Sequence, residues 1–147
     1  MSELVRFIEV VLSHPNHPRL VHFPVALSYL GVLVAILAWW RRDAFFDRAA
    51  FYTMLLLTLS VIPAGLTGIL ENQLLYAGNA PNAILKVTLA GLLLLIAAGA
   101  TLWRWRQPKI LNGSLSGSLY VLAFIVCAGL TTLLGALGGI IVWGAWK

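Results

Sequence analysis

Four long apolar runs, separated by short polar segments, dominate the chain. Each has about the 17–25 residues that an α-helix needs to cross some 30 Å of hydrocarbon. None alternates between apolar and polar positions as a strand of a membrane β-barrel does, and an open sheet would leave backbone groups unpaired in lipid. The pattern predicts an all-α integral membrane four-helix bundle, one transmembrane domain over residues 1–147, with helices at about 24–40, 49–70, 83–103 and 119–143.

Composition indicates that the lipid bilayer is the main solvent of this chain. Of its 147 residues, 61% are hydrophobic and 10% are charged, against about 45–50% and 25% in soluble domains. The net charge of +5 is spread along apolar sequence and forms no basic stripe, so we expect no nucleic-acid partner. Cys127 is the only cysteine, which excludes an internal disulfide and a cysteine metal cluster.

The N-terminal segment "MSELVRFIEVVL" carries a polar stripe at helical spacing, and apolar residues fill the rest of its surface. This pattern predicts an amphipathic helix over residues 2–12 that lies in the membrane interface. Docking of its apolar face on a partner subunit is an equally open interpretation. The segment has acids where a signal peptide has a basic leader, so we do not expect it to be one.

Basic residues concentrate in two of the connecting segments. "RRDAFFDR" at 41–48 and "RWRQPK" at 104–109 together hold six of the ten arginines and lysines. By the positive-inside rule these two loops face the cytoplasm. We therefore expect a multi-pass protein of the bacterial inner membrane with both termini on the periplasmic side.

All three histidines lie in "SHPNHPRLVHFPVAL" at 13–27. Residues that precede proline are disfavoured in the α region, so the sequence predicts extended backbone at His14, His17 and Phe23 and a first helix that begins at Pro24. His22 would lie just before this helix. Its imidazole either caps or packs at the interface, or ligates a haem or a chlorophyll-type pigment, with His17 as a second candidate ligand. No spacing of residues predicts a metal site.

Three motifs carry a resemblance to a known family. "HPRLVHFPVAL" (17–27), "AGLTGILE" (Ala64–Glu71) and "LGGIIVWG" (Leu137–Gly144) resemble, in order and spacing, a family of bacterial four-helix membrane proteins of unknown function. Its members open with His-Pro-x-x-Val-His-Phe-Pro. The resemblance implies the fold and the membrane location.

The same resemblance bears on cofactors. Family members often carry histidines near the start of the third helix and after the fourth, which implies a link to haem or another metal. This chain has Lys86 and "GAWK" (Gly144–Lys147) at those places. A bis-histidine haem needs ligands from two facing helices, and this chain has histidines only before the first, so we expect no required cofactor.

Three features inside the apolar runs have two interpretations each. Lys86 either extends its stem to the membrane surface or pairs with Glu71. Pro63 frees the Leu59 carbonyl and predicts a kink in the second helix. Small residues spaced four apart form faces for close helix contact, either inside the bundle or against a partner helix; these pairs are Gly135 with Gly139, Ala64 with Gly68, and Gly31 with Ala35.

The chain carries little chemistry. It shows no paired carboxylates, no nucleophile beside a base and no phosphate-binding loop, so we do not expect an enzyme. The first functional hypothesis is an accessory, structural subunit that packs against a larger membrane complex of respiratory or photosynthetic electron transport. The alternative is a haem- or pigment-binding protein in which His22 is the axial ligand.

Overall fold

The computed structural model of the protein describes residues 17–144, with the side chains of residues 17–140. All regular structure in this range is helical: α1 (His17–Arg41), α2 (Ala44–Tyr76), α3 (Ala83–Arg106), a 3-10 helix (Ile110–Asn112) and α4 (Ser114–Gly144). Each of the four α-helices is long and apolar enough to cross a membrane, which confirms the predicted number of spans. The predicted interfacial helix at 2–12 and His14 lie outside the described residues.

The four long helices form the four sides of a bundle. α1 packs on α2 and α4, and α3 packs on the same two helices. Because short connections make successive helices antiparallel, the ends of α1 and α3 meet the starts of α2 and α4. We call that end, with the 41–48 and 104–116 segments, the closed end. The other end, with His17 and the 77–82 loop, is the open end.

α1 begins at His17 and not at Pro24, so the predicted extended backbone at His17 and Phe23 is wrong. Pro24 lies inside the helix, buried against the bundle. A membrane helix tolerates such a proline because neighbouring helices pack around the interrupted turn.

Small side chains on α1 allow close packing against α4. Its buried residues recur every three or four positions, which is the spacing of one helix face. At Gly31 an added Cβ would lie 2.0 Å from the Phe124 ring, so only glycine permits this contact. The core that results contains few large side chains, and those that are almost completely buried include Met54, Leu57, Leu93, Tyr120 and Phe124.

The closed end is sealed by the connection between α3 and α4. Ile110 and Leu111 of the 3-10 helix are each only 2% exposed and belong to the core cluster. Asp43 caps the start of α2, because its carboxylate accepts from the backbone N–H groups of Phe45 and Phe46 at 2.8 and 3.3 Å. The helices at this end are therefore held in place by both loops.

The open end lacks such packing. Within the described residues, the first ten positions of α3 (83–92) include no buried residue, and burial ends at Ala64 on α2 and at Thr131 on α4. The 77–82 loop folds back on α2: Asn72 accepts from the Ala80 N–H at 3.0 Å, and Gly78 takes a φ of +82° that suits glycine. The core thus occupies the half of the bundle next to the closed end.

Candidate functional site

Polar side chains from three helices meet at the open end. His17 is the first residue of α1, Thr67 and Glu71 lie in the last turns of α2, and Lys86 lies in the first turn of α3. We call these four residues the open-end cluster. Because α2 has 33 residues and spans about 50 Å, it exceeds the roughly 30 Å of the hydrocarbon layer. His17, Glu71 and Lys86 each lie within about two turns of a helix end, so we expect the cluster near the membrane surface.

His17 docks α1 on α2. Its Nδ1 lies 3.0 Å from the Ala64 carbonyl oxygen and 3.3 Å from Thr67 Oγ1. A carbonyl oxygen can only accept, so Nδ1 carries the proton and donates it. The Thr67 hydroxyl donates to the Pro63 and Ala64 carbonyls, which leaves its oxygen free to accept as well. The Nε2 lone pair of His17 therefore has no part in this contact.

Gly68 makes room for the His17 ring. An added Cβ at Gly68 would lie 2.8 Å from His17 Cε1 and 3.2 Å from Nδ1. The motif that contains His17 and the motif "AGLTGILE" are thus two sides of one contact. This contact gives a physical reason for a histidine in one motif and a glycine in the other.

Glu71 and Lys86 complete the cluster. The Glu71 carboxylate accepts from the backbone N–H of His17 at 2.8 Å, so it caps the positive end of α1. Lys86 is partly buried, and its ammonium group is attracted by the Glu71 carboxylate. It is farther than 4.0 Å from Glu71 Oε atoms, since the ion pair found among the described residues is a different one. A direct pair with Glu71, one of the two interpretations of Lys86, is therefore not formed in this structure, and only a longer-range attraction joins the two groups.

His22 does not belong to the cluster. Five positions after His17, it is turned by about 140° around α1, and its side chain is exposed. Its Nδ1 contacts the Pro18 carbonyl oxygen one turn earlier, which again leaves Nε2 free. The structure therefore does not bring the two candidate ligands together. Among the residues that the structure describes, no three His, Cys, Asp or Glu side chains converge as a metal site does.

A second polar group lies at the closed end. Arg104 is only 5% exposed. Its guanidinium pairs with the Asp47 carboxylate and donates to the Gln107 carbonyl at 3.2 Å. Arg104 Nε and the Tyr120 hydroxyl are buried without a hydrogen-bond partner in the described part of the chain. Sequence reasoning missed this pair because it interpreted both loops only as topology signals. The two acids inside the basic "RRDAFFDR" segment were the available clue.

Hydroxyl pairs join the helices between these two ends. Ser28 on α1 lies 2.9 Å from Thr131 on α4, and Thr58 on α2 lies 3.0 Å from Thr101 on α3. Hydrogen bonds of this kind contribute about 0.6 kcal/mol each in a membrane bundle. The sequence alone does not predict these pairs, since hydroxyls inside apolar runs also bond to their own helix.

The small-residue pairs fall into two groups. Gly31, Ala35, Ala64 and Gly68 face neighbouring helices or His17. Gly135 faces outward, and a Cβ there would meet no heavy atom within 4 Å. Gly139 is partly exposed. Two of the three pairs thus serve packing inside the chain, while Gly135 of the third contacts no side chain among the described residues.

The chemistry of the open-end cluster is that of a polar clamp. It holds a histidine, a carboxylate and an ammonium group at a membrane surface, each from a different helix. Such a cluster can fix the start of α1 and can present charged groups to a second molecule.

Comparison with known proteins adds one match. The model of the family described as "Predicted membrane protein (DUF2231)" matches residues 13–145. No curated protein and no solved structure matches the chain.

Proposed function

The chain belongs to this DUF2231 family of predicted membrane proteins, and from that premise we propose that it is an accessory subunit that packs against another integral membrane protein. The observation that supports this most is the unequal packing of its helices. The first ten positions of α3 are in the bundle but contribute no buried residue to it. Among the described residues, this largely apolar segment of a membrane-spanning helix has only partly buried or exposed side chains, which leaves surface suited to packing with another chain.

Exposed glycines add to this argument. Gly91 on α3 and Gly135 and Gly138 on α4 each have no heavy atom within 4 Å of an added Cβ. Gly91 and Gly135 both lie about 12–14 Å along their helices from the open end. Exposed small residues at one depth on adjacent helices let a partner helix approach closely, and van der Waals packing of that kind drives helix association in lipid. We call these three glycines the docking face.

We also propose which kind of complex the chain joins and in which membrane. A respiratory or photosynthetic electron-transport complex stays our prediction for the partner, and it rests on the sequence argument that the chain is rich in helix-packing features and poor in chemistry. The membrane is expected to be the bacterial inner membrane. The proposed orientation of the protein rests on charge. The closed end carries six basic residues against two acids, which favours the cytoplasm for that end.

Orientation can be measured by cysteine labelling. Asn79 in the open-end loop and Asn112 at the closed end are both exposed, and native Cys127 is buried. In intact cells we expect a membrane-impermeant maleimide to label Asn79→Cys and to spare Asn112→Cys until the membrane is opened. The reverse pattern would contradict the proposed topology.

The docking proposal is tested by purification from the native membrane in mild detergent. We expect the wild-type chain to co-purify with a distinct membrane protein, identified by mass spectrometry, and Gly135→Leu to lose it. Gly129→Leu is the matched control, because Gly129 is also exposed on α4 with open space around it but lies nearer the closed end. Recovery of the wild-type chain only as a stable monomer, or equal loss in both variants, would overturn the proposal.

One observation favours a second candidate function. The exposed His22 ring has its Nδ1 held by the Pro18 carbonyl, and a histidine whose Nδ1–H bonds to a backbone carbonyl presents the neutral Nε2 that metal centres bind. His22 could then supply one axial bond to a haem or chlorophyll-type pigment, with a partner subunit on the opposite side. His17 is less suited, since its ring is enclosed by α2.

An absorption spectrum decides this second candidate. If His22 binds a haem or pigment, the protein purified from its native membrane has a visible absorption band. This band is lost in His22→Ala and kept in His17→Ala. A colourless preparation would end the cofactor proposal and leave the docking proposal untouched.

A further inference from the structure

A groove opens between α2 and α3 at the closed end. It has a volume of about 180 Å³ and lies where α2 begins and α3 ends. Two arginines, three aromatic side chains and a proline form its walls: Arg48, Phe51, Tyr52, Arg104, Trp105 and Pro108. A groove with cationic and aromatic walls at the end of a membrane span has the chemistry of a site for an anionic headgroup.

The two arginines of the groove differ in what they already bind. Arg104 is buried, and Asp47 and the Gln107 carbonyl hold its guanidinium in place, although its Nε has no partner. Arg48 is exposed and makes no ion pair within 4.0 Å to any other described residue. The groove therefore contains one neutralised cation that shapes it and one cation whose hydrogen-bond donors remain for a ligand.

The acids at this end are already engaged. Asp43 accepts two backbone N–H groups at the start of α2, and Asp47 pairs with Arg104. Of the other cations, Arg41 lies over the Phe46 ring at 5.8 Å. An anion in the groove would thus face Arg48 without a free carboxylate from these two acids competing for it.

The surface next to the groove indicates where the rest of the ligand lies. Exposed apolar residues continue from Tyr52 along α2 at positions 56 and 59, and from Trp105 along α3 at positions 102, 99 and 95. These steps of three and four keep each series on one helix face. At Gly99 an added Cβ would meet no heavy atom within 4 Å, so the α3 face has a shallow channel. Two apolar faces that start at a cationic groove fit two acyl chains below one phosphate.

From these contacts we propose that the groove binds the headgroup phosphate of an anionic phospholipid. Arg48 donates its guanidinium N–H groups to the phosphate oxygens, as arginine does at bidentate phosphate sites. The Tyr52 hydroxyl and the Trp105 indole N–H supply further donors at the level where such rings concentrate in membrane proteins. The acyl chains lie along the exposed faces of α2 and α3. This site is separate from the docking face and does not depend on it.

Native mass spectrometry of the full-length protein in detergent tests the proposal. The probes are phosphatidylglycerol and phosphatidylcholine with the same acyl chains. We expect the protein to retain phosphatidylglycerol selectively and Arg48→Gln to weaken that binding about tenfold, which corresponds to loss of a charge-assisted hydrogen-bonded contact. Arg42→Gln is the matched control, because Arg42 is an exposed arginine of the same end that does not line the groove. It should change the affinity less than about twofold.

Three results would overturn this inference. The first is equal retention of the two lipids by the wild-type protein. The second is an equal effect of Arg48→Gln and Arg42→Gln, which would indicate general attraction to the basic end. The third is a competition result in which inorganic phosphate displaces bound phosphatidylglycerol as effectively as added phosphatidylglycerol does. The site would then recognise free phosphate, and the acyl chains would add nothing to the affinity.

Discussion

The two ends of this bundle hold their polar groups in different ways. At the closed end a buried arginine pairs with an acid on a neighbouring helix, and a 3-10 helix with two buried apolar residues covers the core. At the open end His17, Glu71 and Lys86 are only partly buried, and the helices around them contribute no further core. Among the described residues, the closed end therefore holds the helices together more tightly, whereas the open end has more exposed and partly buried side chains, which is where we propose that another molecule packs.

This difference indicates where substitutions harm the fold and where they harm an interaction. In lipid there is little hydrophobic force between helices, so packing and polar contacts decide their arrangement. Polar contacts between helices occur at both ends, while buried side chains concentrate toward the closed end. Substitutions there should lower the stability of the isolated protein, while substitutions at the open end should change binding more than folding.

The largest effect is expected for Asp47→Asn. It removes the charge that balances the buried Arg104, and breaking one side of a buried ion pair costs about 3 kcal/mol or more. The measurement is the free energy of unfolding in detergent. Asp43→Asn is the matched control: it removes an acid four residues earlier at the start of the same helix. Asparagine caps a helix start as well as aspartate does, so the change should stay below about 0.5 kcal/mol. Equal losses in both variants would contradict a structural role for the ion pair.

A smaller loss is expected for Gly31→Leu. The added side chain meets the Phe124 ring, and overpacking of a well-packed contact costs about 1–3 kcal/mol. Gly129→Leu adds the same atoms to α4 where no heavy atom lies within 4 Å, so its stability should be close to that of the wild type. Thermal unfolding of the two variants in the same detergent checks the difference; a stable Gly31→Leu protein would show that α1 and α4 do not pack as described.

The smallest effect is expected for two alanine substitutions in one helix. Gly65→Ala should stabilise α2 by about 0.5–1 kcal/mol, because alanine is the better helix former and has open space there. Gly68→Ala gains the same propensity but displaces the His17 ring, so its net change should be about 1 kcal/mol less favourable. Unfolding experiments on the pair measure this gap. If the two variants differ in the wild-type background but not in a His17→Ala background, the histidine contact causes the difference. A difference that persists without His17 would exclude the histidine contact as the cause.

Much of the fold could be predicted from the sequence, because helix-length apolar runs report directly on the thickness of the membrane. The start of α1 could not: the rule for residues before proline disfavours helix at Phe23, but contacts of Pro24 and His17 with the bundle outweigh that local preference. Local sequence carries no information on such tertiary contacts.

The candidate site was predicted only in its parts. Sequence reasoning singled out His17, Gly68, Glu71 and Lys86 for separate reasons, and no local pattern indicates that they meet. The Arg104–Asp47 pair joins residues 57 positions apart. Charge patterns place both in loops at one end, but only the packing of α2 on α3 makes them partners.

The most direct test of the contrast between the two ends is site-specific photo-crosslinking on α3 in the native membrane. A photoreactive residue at Gly91 belongs to the docking face, and one at Leu102, also exposed, lies toward the closed end beside the proposed lipid site. The account predicts a crosslink from position 91 to one distinct polypeptide and crosslinks from position 102 mainly to lipid. The same polypeptide captured equally from both positions, or none from position 91, would contradict it.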